Sequence, residues 1–211
     1  IMEYDDMMEF TFGQWGGASS NEAGGIGFKS INVGKTQITG AELSISGQGK
    51  INPDLTVNIM AGYTYMNPIS LNLEHVYGED YYENPLTYRN SSSDSTMLKY
   101  RYKHIAKADL EIVYKGISLA GSARYNSFMK NIDAIFTSIY LEDLTGIGGI
   151  NEARDKFKKG DLIIDLRAGY QVTKLAKLGL IVNNLLNREY MSRPANMMPP
   201  RTFAMQLALK I

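Results

Sequence analysis

Cysteine is absent from the sequence, so the chain has neither disulfides nor thiolate metal sites. Histidine is nearly absent. His75 and His104 are the only two, and neither sits in the acid–nucleophile pattern that a membrane hydrolase needs. Charge of one sign is also missing, because 22 Lys and Arg balance 22 Asp and Glu. With no basic stripe and no phosphate-binding glycine motif, no nucleic-acid partner and no cofactor are expected. No stretch approaches the roughly 20 apolar residues of a transmembrane helix. No signal-peptide pattern occurs either, and residue 1 opens directly into strand-like sequence. Such absences describe a soluble protein, unless the chain crosses a membrane in strands, where only alternate residues must be apolar.

What the sequence does contain is period-two alternation. Between 105 and 114, Ala106, Ala108, Leu110, Ile112 and Tyr114 alternate with Lys107, Asp109 and Glu111. Residues 161–172 set Leu162, Ile164, Leu166, Ala168 and Tyr170 against Asp161, Asp165 and Arg167. The same rhythm runs through 55–66, 117–128 and the terminal segment Phe203, Met205, Leu207, Leu209, Ile211. Weaker versions at 3–12, 36–49 and 176–186 bring the total to eight strands of about ten residues, enough for a tilted strand to cross a bilayer. The expectation is an all-β, antiparallel transmembrane β-barrel segment. Short turns at 50–54, 115–116 and 173–175 alternate with long polar loops at 13–34, 67–102, 129–159 and 187–200. That asymmetry is the mark of a periplasmic rim and an external rim. Tyr63, Tyr65 and Tyr125 then end the strands on the outer side, and Tyr114 and Tyr170 on the inner side, as two aromatic girdles. Ordinary strand propensity of tyrosine is the plainer reading.

On the polar face, Glu42, Lys107, Asp109, Glu111, Arg124, Asp165 and Arg167 are expected to face a wet or plugged lumen, since a dry apolar interior would leave them unpaired. They pair across strands within the wall or touch a plug or a permeating ligand. The 67–102 loop supplies the candidate ligand-binding residues His75, Tyr77, Tyr81, Tyr82, Tyr88 and Arg89, because phenol, imidazole and carboxylate oxygen or nitrogen ligate iron and aromatic rings stack on planar chelates. A solvated loop is the competing reading. The 13–34 loop is rich in Gly and Ser and is expected to be mobile, ordering on ligand binding.

The C-terminal run Asn184-Leu185-Leu186-Asn187-Arg188-Glu189-Tyr190 resembles the "NLxNxxY" motif of TonB-dependent receptors. Arg193-Pro194 and Pro200-Arg201-Thr202-Phe203 resemble their "RP…PR-aromatic" lead into the final strand. Gly40-Ala41-Glu42 is similar to their "GxE" strand, and Tyr125–Phe128 with Asn131-Ile132-Asp133 is similar to the subset from Bacteroidetes-type bacteria. Asn52-Pro53-Asp54 resembles a haem-receptor box but reads as ordinary turn chemistry. The resemblance implies the last eight strands of a 22-stranded outer-membrane barrel around a plug. Residues 1–211 would be the C-terminal portion of that barrel, without plug or TonB-binding motif, and Ile211 departs from the usual terminal Phe. It further implies TonB-coupled uptake of a scarce ligand, such as a siderophore, haem or cobalamin, with an iron chelate preferred. The partners implied are the plug and remaining strands, the TonB complex, outer-membrane lipid and a surface lipoprotein. Asn183, Asn184 and Arg201 would be structural. The rivals are a self-closed eight-stranded adhesin or anchor, which requires 2–12 to pair with 201–211, a soluble β-sandwich or lipocalin-like binder, and a hydrolase using His104.

Overall fold

In the computed structural model, residues 1–15, 25–80, 82–138, 148–194 and 196–210 are described. One antiparallel sheet dominates. Its strands are β1 (Met2–Tyr4), β4 (Thr36–Asn52), β5 (Leu55–Ser70), β8 (His104–Tyr114), β9 (Ile117–Asn126), β10 (Asp161–Gln171), β11 (Ala176–Asn183) and β14 (Thr202–Leu209), hydrogen-bonded in that order. Such a meander, each strand beside its predecessor, is the topology the alternating turns and loops predict. The sheet is open. β1 pairs with β4 and β14 with β11, and no described ladder joins β1 to β14, which removes the self-closed eight-stranded rival.

The tight turns follow from their residues. Asn52 Oδ1 accepts from the backbone N–H of Asp54 and of Leu55, both at 3.0 Å, so Asn-Pro-Asp is indeed a turn. Lys115 and Gly116 both take positive φ, the geometry of a two-residue hairpin whose twist matches its strands. Gly40 is required for a different reason. A Cβ there would lie 2.4 Å from the Tyr65 carbonyl oxygen on β5.

The first expected strand is corrected. Asp5-Asp6 bends the chain, so only Met2–Tyr4 joins the wall. Beyond the bend, β2 (Met8–Trp15) pairs with β3 (Gly25–Asn32) as a separate ribbon. Much of the expected mobile loop 13–34 is therefore ladder-bonded strand; Gly16, Gly17 and Gly24 lie outside the described residues. On this ribbon the usual alternation is inverted, with Glu9 and Thr11 buried and Met8 and Phe10 exposed.

Strands β4 and β5 overrun the rest. β8 begins opposite Tyr65, while β5 continues to Ser70, paired with β4 down to Thr36. This overhang seats a cap. It is built from the β2–β3 ribbon, a small hairpin of β6 (Val76–Glu79) and β7 (Pro85–Thr87), helix α1 (Tyr88–Ser91), a 3₁₀ turn at Ala134–Thr137 and helix α2 (Ile150–Lys156). Most of the buried apolar core lies here and not in the sheet. One cluster joins Ile31, Val33, Tyr88 and Leu98, and a second joins Met129, Ile132, Phe136 and Ile150. The described parts of the expected loops 67–102 and 129–159 are thus packed structure.

Candidate functional site

The register divides the wall into two faces. Ile59, Leu110, Gly121, Leu166, Val182 and Phe203 are successive cross-strand partners on one side. Tyr63, Ala106, Tyr125 and Leu162 form a row above them, and Leu55, Tyr114, Ile117, Tyr170, Leu178 and Leu207 a row below. Tyr63 and Leu55 are eight residues apart, about 27 Å along the strand and about 20 Å after a barrel tilt, close to the apolar band of an outer-membrane wall. Among the described residues nothing covers this face: Leu110 is 44 %, Leu166 41 % and Leu207 63 % exposed.

All seven expected polar-face residues share the opposite side. Glu42 stands beside Thr64, Lys107 beside Arg124, and Asp109 beside Ser122 and through it Asp165. Arg167 reaches past β9 to Asp109 at 2.6 Å. The row-neighbour it passes is Ala120, whose single methyl leaves the path open. Asn58 Nδ2 donates to Glu111 at 2.8 Å. These contacts support the cross-strand reading for Asp109, Glu111 and Arg167. The buried apolar residues on the described sheet, Pro68 and Ile163, are on this face too.

At the long-loop end of the strands, Asn184, Asn187 and Tyr190 of the C-terminal motif each have a geometric duty. Asn184 sits at positive φ, donates from Nδ2 to the carbonyls of Arg188 (2.9 Å) and Pro199 (3.2 Å), and accepts the Arg188 N–H at 2.8 Å. Its own N–H goes to Asp165 at 2.7 Å. Asn187, also at positive φ, accepts the Arg201 N–H at 2.9 Å. Tyr190 receives a bond from Arg124 on the polar face at 3.3 Å. Together they fold the connection between β11 and β14, including β12 (Met191–Arg193) and β13 (Asn196–Met197), towards the polar side. Replacing Asn184 by alanine orphans buried groups and leaves a β-carbon at positive φ. We expect a loss of about 2 kcal/mol or more, read as a lower urea midpoint of the folded receptor in bilayers. An unchanged midpoint would refute this account of the motif.

This fold-back walls a cavity of about 320 Å³ whose lining includes Tyr102, Phe128, Arg154, Phe157, Tyr190 and Arg193. The Arg154 guanidinium lies 4.6 Å from the Phe128 ring centre and that of Arg188 4.2 Å from Phe157, cation–π contacts that hold both planes in place. Arg188 also pairs with Asp161 at 3.0 Å, and Lys156 with Glu189 at 3.2 Å. Burial lowers the Arg154 pKa and raises that of Tyr102. Sequence reasoning passed over this cavity because its residues come from four separate segments.

The expected ligand residues of the 67–102 loop do not converge. Tyr88, expected to face a ligand, is instead wholly buried; its hydroxyl donates to Glu9 at 3.2 Å and accepts the Lys99 N–H. Tyr77 donates to Ser91 beside it, and Lys99 Nζ lies 5.8 Å from its ring centre. His75 packs on Gly34, Arg89 pairs with Glu74 at the surface, Tyr82 is exposed, and Tyr81 lies outside the described residues. Among the described residues no group of His, Asp or Glu gathers as a metal-ligand set.

At the centre of the cap, Lys99 and Asp133 meet at 2.6 Å with side chains 0 % and 1 % exposed. Asp133 also accepts from Tyr100 and, at 2.7 Å, from the Phe12 N–H; Lys99 donates to Ser91 at 2.9 Å. Burial drives Lys99 down and Asp133 up, and their attraction opposes both shifts. Burial raises Tyr88 and Tyr100 as well, and pushes Tyr77 up to about 12. An unfolded tyrosine ionises near pH 10. The stability linked to Tyr77 is thus fully present below pH 10 and is lost as pH rises through about 12. The difference in phenolate absorbance between the wild type and Tyr77→Phe is expected to rise near pH 12; a rise near pH 10 would contradict the burial.

Comparison with known proteins now bears on the whole chain. Residues 2–185 match the family model "TonB dependent receptor-like, beta-barrel". Among solved structures, the ferric-catecholate import receptor Fiu from E. coli K12 in its closed form superposes with TM-score 0.54 at 22 % identity, over 95 % of this chain and 23 % of that one. The copper transporter OprC superposes with TM-score 0.53 at 16 % identity, over 98 % of this chain and 27 % of its own. The chain thus spans about a quarter of the length of these structures. No curated protein sequence matches it. With a two-faced, meandering wall and a family match across most of its length, the chain belongs to the TonB-dependent receptor β-barrel family and is an outer-membrane protein.

Proposed function

We propose that residues 1–211 form the last eight strands of a 22-stranded receptor barrel and serve TonB-coupled uptake of a scarce ligand, an iron chelate such as a siderophore or haem. The observation that carries this reading is the continuous charged face behind an uncovered apolar one. Such charges persist where the enclosed space is wet or filled by a polar plug. Glu42, Lys107, Asp109, Glu111, Arg124, Asp165 and Arg167 then face the lumen and touch the plug. The partners are the plug and the remaining strands, the TonB complex through an N-terminal segment, membrane lipid and a surface lipoprotein. The wall stays rigid while the plug moves, and the function is transport without catalysis.

The outer cavity suits an anionic aromatic chelate. With Glu189 paired to Lys156 and Asp161 to Arg188, its lining keeps Arg154 and Arg193 against Glu152 as a small positive excess, and its rings supply a stacking surface. Tyr82, His75 and Arg89 would take part in capture only from the cap's outer surface, not as one coordination set.

The experiment is uptake by the full receptor in cells, comparing labelled ferric catecholate, haem and a copper salt. Arg193→Ala, which removes a cavity charge, is expected to weaken chelate binding about tenfold, in line with one charge-assisted contact. Transport of the copper salt alone, or chelate binding untouched by Arg193→Ala, would overturn the iron-chelate assignment.

A further inference from the structure

The cap holds a second cavity, of about 260 Å³, between the β2–β3 ribbon and the segment that carries β6, β7 and α1. It shares no lining residue with the cavity walled by the β11–β14 connection. Thr11 of β2 lines it and is 2 % exposed, yet its Oγ1 forms no hydrogen bond among the described residues. A buried hydroxyl without a partner is costly, so a group from outside the cap's own fold is expected to meet it. The neighbours of Thr11 are committed elsewhere. The Tyr77 hydroxyl, close enough to feel the Thr11 dipole, gives its proton to Ser91. Ser91 Oγ also accepts from Lys99 at 2.9 Å and donates to the Thr87 carbonyl at 2.7 Å. Asp133 is taken by Lys99, Tyr100 and the Phe12 N–H. Asn90 accepts the Thr87 N–H and donates once to the Pro85 carbonyl, each at 2.9 Å. Three groups on the lining therefore remain: the Thr11 hydroxyl, a Tyr77 lone pair and one Asn90 N–H.

The charges here leave little room for an ionic ligand. Lys99 and Asp133 neutralise each other at 2.6 Å, and a ligand of either sign would have to compete with that pair. An anion would also meet the Asp80 carboxylate on the lining. Phe12, Leu86 and Ile135 add apolar wall. One water takes about 30 Å³ of liquid, so the space exceeds what a single bridging water needs. A ring with hydroxyls on its edge and C–H groups on its faces meets both demands, because each hydroxyl donates and accepts while the faces lie on apolar wall. We propose that this cavity binds one neutral pyranose ring, held between Thr11 of the ribbon and Tyr77 and Asn90 of the facing segment. Once bound, the sugar ties the ribbon to the rest of the cap. The site stands independently of the iron-chelate reading.

The test titrates the full receptor in mild detergent with the methyl glycosides of glucose, galactose and mannose, followed by saturation-transfer NMR. At least one of them is expected to bind, and its uronate and amino-sugar analogues about tenfold more weakly. Thr11→Val should weaken binding about fivefold, whereas Thr11→Ser, which keeps the hydroxyl, should retain it. Because Oγ1 has no partner in the fold, Thr11→Val should leave the urea midpoint unchanged or raise it. Hydrogen exchange in residues 8–15 should slow when the glycoside is bound. Binding by none of the three, equal binding of the uronate, or unchanged exchange with sugar bound would overturn the site. So would a lower midpoint in Thr11→Val, which would mean that the hydroxyl already serves the fold. Chelate binding at the other cavity is read separately through Arg193→Ala, so failure of the sugar site leaves the receptor reading standing.

Discussion

Arginine in place of Leu110 is expected to destabilise the folded wall by about 2–4 kcal/mol, the cost of a cation at the bilayer midplane. Leu110 belongs to the central row, midway between the tyrosine rows of Tyr63 and Tyr114, and pairs with Ile59 and Gly121. None of the described residues shields it. Thr64→Arg is the matching control. Thr64 lies on the polar face directly beside Glu42, so the new charge meets a carboxylate and is expected to change stability by less than about 1 kcal/mol. Both are measured as urea midpoints of the full receptor refolded in lipid vesicles. If the two variants cost the same, or if Leu110→Arg is harmless, the face is not in hydrocarbon and the membrane reading fails.

That pair of variants tests what was most legible in the sequence. A strand whose two faces meet hydrocarbon and a polar space must alternate at every residue. Leu110 and Leu166 and their charged neighbours therefore announce their sides without knowledge of a partner. The turns were legible for the same local reason, as Asn52 and Gly116 act within a few residues of themselves. The motif residues Asn184, Asn187 and Tyr190 were legible as structural, although only the geometry shows that they fold one connection over the polar face. What was hidden is non-local. The cap's core takes Ile31 from one segment, Leu98 from a second and Ile132 from a third, with no period to mark them. Tyr88 misled because its ring is equally suited to a ligand and to a core. Asp5-Asp6 misled because the alternation on either side continues in phase while the backbone changes partners.

The cap gives the second large effect. Lys99→Met is expected to destabilise it by about 3–5 kcal/mol, because removing one member of a buried pair leaves the other charge without its counterion. Asp133 would keep only Tyr100 and the Phe12 N–H as donors. Since Asp133 ties the β2–β3 ribbon to Lys99, the loss should spread to both sides of the cap. Hydrogen exchange should accelerate in the ribbon and in residues 82–102 and 129–138, whereas exchange in β9 and β10, bonded into the wall, stays slow. The double variant Lys99→Met with Asp133→Leu discriminates between packing and charge. Replacing both ions by apolar groups of similar size is expected to recover much of the protection; no recovery would mean that the methylene stem of Lys99, and not its charge, holds the cap. Protection unchanged in Lys99→Met alone would show that the pair is not buried, and would return the 67–102 segment to the status of a solvated loop.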